Sequence, residues 1–190
     1  MRFSTEEIKD ILKAWVMISV AFTILLSRNN FSLNILGIFL ISLLTVGFGF
    51  LFHELGHKFV AQRYKYFAEF KADNKMLIVS IVSAFFGFLF AAPGGVYISG
   101  GHDYKKLSNI ASAGPIINII LAIIFLLIGN LDLSILKLIS NLGFSINSWL
   151  ALFNLIPVFP FDGGKIYQGN KKMYFALVLI SFSLVVLSFR

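Results

Sequence analysis

Apolar residues run in long blocks along this chain, and the polar residues between them are few and clustered. The first block extends from about Ile11 to Ser27 and stops at Arg28-Asn29-Asn30. Ahead of it, Ser4-Thr5-Glu6-Glu7 reads as a helix N-cap. The second block begins near Leu33, has no charged side chain as far as Phe52, and continues through His57 to about Gln62. From Lys58 to Lys75 the chain is polar, with basic residues at 58, 63, 65, 71 and 75. Met76 to Ala92 is apolar again and ends at Pro93-Gly94-Gly95. The following Val96-Tyr97-Ile98-Ser99 is β-prone and far short of the about 20 helical residues that a bilayer requires. After a polar loop from His102 to Asn109, further spans are predicted over 110–128, from 133 to about 157, and over 173–189. An irregular start to the second of these is expected around Asn141-Leu142-Gly143.

This pattern predicts an all-α polytopic membrane protein with five to six transmembrane helices. A re-entrant hairpin or short β element is expected around residues 76–100, and residues 1–190 read as a single domain. Charge gives an orientation. With the N-terminus in the cytoplasm and 76–100 returning to the side it left, 13 of the 16 basic residues fall on the cytoplasmic side. Only Arg28, Lys137 and Arg190 fall elsewhere, as the positive-inside rule requires. A multi-pass protein of the cell membrane follows, with lipid as its first partner.

Composition agrees. The chain is 58% hydrophobic and 13% charged, with 22 Phe and a mean hydropathy of +0.86, whereas a soluble domain carries about 25% charged residues. The net charge of +7 is accounted for by topology. No basic cluster is interleaved with stacking aromatics, so no nucleic-acid partner is expected. Glu6, Glu7 and Asp10 near the start, with no small-residue cleavage site after the first block, argue against a cleavable leader. There are no cysteines, which excludes disulfides, thiolate ligands and a thiol nucleophile.

Against this background His53-Glu54-Leu55-Gly56-His57 stands out. Ionisable groups at membrane depth are costly and mark functional sites. Two His at i and i+4 share one helix face and can hold one metal ion, with the intervening Glu beside it as a base. A third protein ligand is needed, and His102, Asp103, Asp132 and Asp162 are the candidates. Asp162 follows Phe153-Asn154-Leu155-Ile156-Pro157-Val158-Phe159-Pro160-Phe161 and precedes Gly163-Gly164. Two prolines break a helix, so the span is expected to unwind here and aim one carboxylate inward. Lys58, Arg63 and Lys65 read as markers of the cytoplasmic surface.

His-Glu-Leu-Gly-His followed by N-x-x-P-x-x-P-x-D-G resembles the site-2 protease family of intramembrane zinc metalloproteases. Ala113-Gly114-Pro115-Ile116-Ile117-Asn118 resembles that family's glycine-proline-x-x-asparagine span, and Ala91 to Ile98 its glycine-containing segment beside the substrate. The resemblance covers about residues 45–166 and lacks the PDZ-like domain of larger members. It implies one Zn2+ per chain held by His53, His57 and Asp162, with Glu54 activating water for hydrolysis of a transmembrane protein substrate. It also implies a polar role near the site for Asn118 and Asn154, as substrate or oxyanion contacts. A metal transporter using the same ligands and a silent scaffold are the alternatives. The ligands gather toward one face, against transport, and the intact Glu54 argues against a scaffold.

Overall fold

The computed structural model describes residues 2–28, 33–89, 93–101, 103–129, 131 and 134–189. Among the described residues, four helical segments are long and apolar enough to cross a membrane. These are α1 (Thr5–Ser27), the continuous segment Ile35–Arg63, α5 (Tyr104–Ile128) and α6 (Ser134–Asn154). The second consists of α2 (Ile35–Ser42), a π-helical turn over Leu43–Gly47, and α3 (Phe48–Arg63). The count is below the predicted five to six because two apolar helices are short. The last, α8 (Lys171–Leu187), has 17 residues, and α4 (Asn74–Phe85) has 12, about 26 and 18 Å at 1.5 Å per residue.

The start of α1 follows its sequence signal, with Ser4 Oγ accepting the Glu7 N–H at 3.1 Å. At the end of α3, Lys65 adopts a left-handed conformation (φ 62°) and the Tyr66 N–H bonds back to the Ala61 carbonyl at 3.0 Å. That turn feeds β1 (Phe67–Ala72), which lies in the stretch read from sequence only as polar. β1 pairs antiparallel with β2 (Gly94–Ser99), with Phe70 opposite Val96.

The segment between the strands leaves and returns at one place. The Asp73 N–H donates to the Pro93 carbonyl at 3.0 Å, closing the base of the excursion. Its helix α4 lies along α1 and ends where Arg28, just past α1, donates to the Phe85 carbonyl at 2.6 Å. The sheet therefore sits at the N-terminal end of α1, and α4 ends at the opposite end.

Helix α5 begins at Tyr104, six residues before the predicted span, because Asp103 caps it by accepting the N–H groups of Lys105 and Lys106. Helix α6 runs unbroken through Asn141-Leu142-Gly143, where an irregularity was expected. Gly143 instead lets the Phe125 ring lie flat against α6, since a Cβ there would fall 2.5 Å from the ring. The main core joins α5, α6, α8 and the short helix α7 (Asp162–Gly169) through residues such as Ala122, Phe144, Ala151, Leu155, Ile166 and Leu177.

Candidate metal centre

Two imidazoles and one carboxylate converge where α3, α5 and α7 meet. His53 and His57 are one turn apart on α3, both buried, with their Nε2 atoms 3.0 Å apart. Asp162 opens α7 and brings Oδ2 to 3.3 Å from His53 Nε2 and 3.1 Å from His57 Nε2. Its placement follows from the local sequence. After α6 ends at Asn154, the prolines at 157 and 160 forbid helix continuation. α7 then folds back so tightly that a Cβ on Gly163 would collide with the carbonyls of Leu155 and Ile156. Ser108 of α5 fixes α7 from the other side by donating to the Ile166 carbonyl at 3.3 Å.

The far side of each ring settles its tautomer. His57 Nδ1 lies 2.8 Å from the Ile110 carbonyl, which can only accept, so Nδ1 carries the proton. His53 Nδ1 lies 2.6 Å from Asn118 Oδ1. The Asn118 amide nitrogen donates to the Gly49 carbonyl and to Asn147 Oδ1, each at 3.1 Å, so its oxygen faces His53 and accepts. Both Nε2 atoms therefore present lone pairs to each other and to a carboxylate oxygen.

Three acceptors facing one another at 3.0–3.3 Å repel unless a cation lies between them. Asp162 Oδ2 is closed to solvent and has no donor among the described residues. All three ligand atoms lie within 4.8 Å of one another, a spacing that a single ion can bridge. A neutral His pair with a carboxylate and no thiolate is the donor set of a catalytic zinc site with an open position. The orphaned oxygen and the ring orientations fit a metal ion.

Gly114 of α5 forms the wall over the ligand atoms. A Cβ there would lie 2.5 Å from His53 Cε1, His53 Nε2 and His57 Nε2, so only glycine leaves the space free. Glu54, half-buried on the neighbouring face of α3, has its Oε2 closed to solvent with no hydrogen-bond partner among the described residues. A small cavity lined by Glu54, Lys58, Phe50, Phe70 and Val96 adjoins it.

Comparison with known proteins gives this geometry a context. A protein of Methanocaldococcus jannaschii that bears the provisional name zinc metalloprotease MJ0611 is 39% identical over 175 residues, covering 89% of this chain and 87% of its own length. Zinc metalloprotease MJ0392 of the same organism is 31% identical over 120 residues, 62% of this chain and 30% of that protein. The chain belongs to the site-2 protease-like family of zinc metalloproteases. It is accordingly a zinc metalloprotease, with zinc as its cofactor and a candidate site for it at His53, His57 and Asp162. No protein-family model and no solved structure matches the chain.

Other residues singled out from the sequence of this metalloprotease fall differently. Asn118 touches His53, and both of its amide protons are engaged elsewhere, which leaves none to offer a substrate. Asn154 turns its amide back onto its own helix, donating to the Leu150 carbonyl at 2.9 Å. His102 and Asp132 lie outside the described residues, and Asp103 caps α5.

Lys58 is not a surface marker. It is 1% exposed, and its Nζ donates to both oxygens of Glu7 and to the Ala68 carbonyl. Sequence reasoning also missed Asn147, fully buried on α6, although an asparagine in an apolar span is a signal for an interhelical hydrogen bond.

Proposed function

We propose that residues 1–190 act as one intramembrane endopeptidase domain that hydrolyses peptide bonds in or near transmembrane segments. In this reading His53, His57 and Asp162 hold one Zn2+ and Glu54 is the general base and acid. The convergence of three lone-pair donors beside an unpartnered Glu54 oxygen carries the proposal. When bound, zinc supplies Lewis acidity toward a carbonyl and lowers the pKa of water to about 7.

The chain's own groups supply the rest. Glu54 Oε2 takes the proton from the attacking water and returns it to the leaving amine. Asn118 and the Ile110 carbonyl hold the two rings so that Nε2 faces the ion. The sheet presents the substrate. On β1 three outward backbone groups are already covered: Phe70 N–H by Glu7, Ala72 N–H by Asp10 and the Ala68 carbonyl by Lys58. On β2 the corresponding positions are Gly94, Val96 and Ile98, and Val96 lines the small cavity beside Glu54. An unwound substrate segment adding to this edge brings its amide bonds past Glu54.

The membrane is the medium of the reaction. Lys58 pairs with Glu7 at the start of α1, and His53 lies five residues inward on α3, about 7.5 Å along the helix. The site therefore lies just below the end of the bundle that carries the basic residues of β1 and of the first turns of α5 and α8. Positive-inside bias assigns that end to the cytoplasm.

The test is a Glu54→Gln variant assayed on a transmembrane substrate in liposomes. Zinc retained with cleavage lost supports the reading, and cleavage unchanged with zinc bound refutes it.

A further inference from the structure

Asn147 touches no ligand atom, yet it is fully buried and both ends of its side chain are committed. Its Nδ2 donates to the Gly143 carbonyl at 2.9 Å, one turn back on α6. Its Oδ1 accepts from Asn118 Nδ2 at 3.1 Å. Asn118 Nδ2 also donates to the Gly49 carbonyl at 3.1 Å, and Asn118 Oδ1 faces His53 Nδ1 at 2.6 Å. Every direction in this chain is forced, because backbone carbonyls at Gly143 and Gly49 can only accept. Gly143 fixes which end of Asn147 is oxygen, that oxygen fixes Asn118, and Asn118 fixes the proton on His53 Nδ1.

We propose that Asn147 is a positioning residue that sets the polarity of His53 from a third helix, two hydrogen bonds away from the ion. The proposal rests on the reading of His53, His57 and Asp162 as the zinc ligands. Without the acceptor at 147, the Asn118 amide has only Gly49 to hold it. Rotation by 180° then turns its NH2 toward His53. The His53 proton moves to Nε2, and the lone pair that faces the ion is lost.

The geometry around the network fits this role. A Cβ on Gly49 would lie 2.6 Å from Asn147 Oδ1, so glycine is what lets α3 approach α6 closely enough. His57 has no such relay, since its Nδ1 bonds directly to the Ile110 carbonyl. Loss of Asn147 thus weakens one ligand of three and spares the others.

The experiment measures zinc affinity by competition with a chromophoric chelator, in detergent, for the native chain, Asn147→Leu, Asn147→Asp, Asn118→Leu and the Asn118→Leu/Asn147→Leu pair. Asn147→Leu keeps the volume and removes both polar atoms. A weakening of about 10- to 100-fold is expected, the range for an outer-shell partner of a metal-binding His. Asn147→Asp, neutral in this apolar setting, keeps a donor for Gly143 and an acceptor for Asn118, and its affinity should stay within about threefold of native if 147 acts only through such an outer-shell bond. In the Asn118→Leu background Asn147→Leu should cost nothing further, because residues acting through one network are not additive. Native affinity in Asn147→Leu, equal loss in the Leu and Asp variants, or full additivity with Asn118→Leu overturns the proposal. A native chain that binds no zinc refutes the ligand assignment itself, an outcome separate from all of these.

Discussion

Lys58 Nζ lies 2.7 and 2.8 Å from the two carboxylate oxygens of Glu7, and both side chains are almost completely buried. The pair ties the start of α1 to α3 one residue beyond His57. Glu7 also accepts the Phe70 N–H at 2.9 Å and Lys58 donates to the Ala68 carbonyl at 2.8 Å, so the same two residues hold β1. Removing one partner leaves an uncompensated buried charge, at a cost of about 3–5 kcal/mol, whereas replacing both by apolar residues is close to neutral. Lys58→Met should therefore lower stability in detergent sharply, and Lys58→Met with Glu7→Leu should recover part of it, because the Phe70 N–H and the Ala68 carbonyl still lack their side-chain partners. Unfolding in a denaturant series checks this, and a double variant as unstable as the single one contradicts it.

Gly114 gives a test of the space around the ion. Because a Cβ at 114 would lie 2.5 Å from the ring atoms that face the ion, Gly114→Ala should displace both imidazoles. Zinc content should fall well below that of the native chain, with cleavage falling in parallel. Helical content by circular dichroism should stay unchanged, since alanine is favourable within α5.

Asp162 makes a prediction about stability with and without metal. Its Oδ2 lies 3.1 and 3.3 Å from the two Nε2 atoms, and Asp162→Asn removes the one carboxylate of the ligand set. The native chain should gain stability from added zinc, by an amount that grows with free metal, and the variant should gain little. Melting curves with chelator and with zinc measure both effects.

Much of the site was legible in the sequence because its parts are local. A His pair four residues apart lies on one helix face wherever the helix goes, and Asp162 was marked by the prolines and glycines around it. The re-entrant reading of residues 76–100 rests on the distribution of basic residues, and the β1–β2 pairing brings the two ends of that excursion together. What escaped depends on contacts between distant segments. β1 reads as a polar stretch because its partner is more than 20 residues away and only Ala68 and Phe70 of its six residues are fully buried. Lys58 looked like a surface charge because Glu7, which neutralises it, lies 51 residues earlier. Asn118 and Asn154 carry equal weight as motif residues, yet one faces His53 and the other bonds its own helix. Gly143 reads as a break, but the Phe125 ring occupies the place of its missing side chain.

The most direct measurement is the zinc content of the purified chain beside an Asp162→Ala variant of equal helicity. Close to one zinc per native chain, and a large loss in the variant, is the predicted result. Equal zinc in the two proteins would contradict it, because the carboxylate that meets His53 and His57 would then have no part in holding the ion.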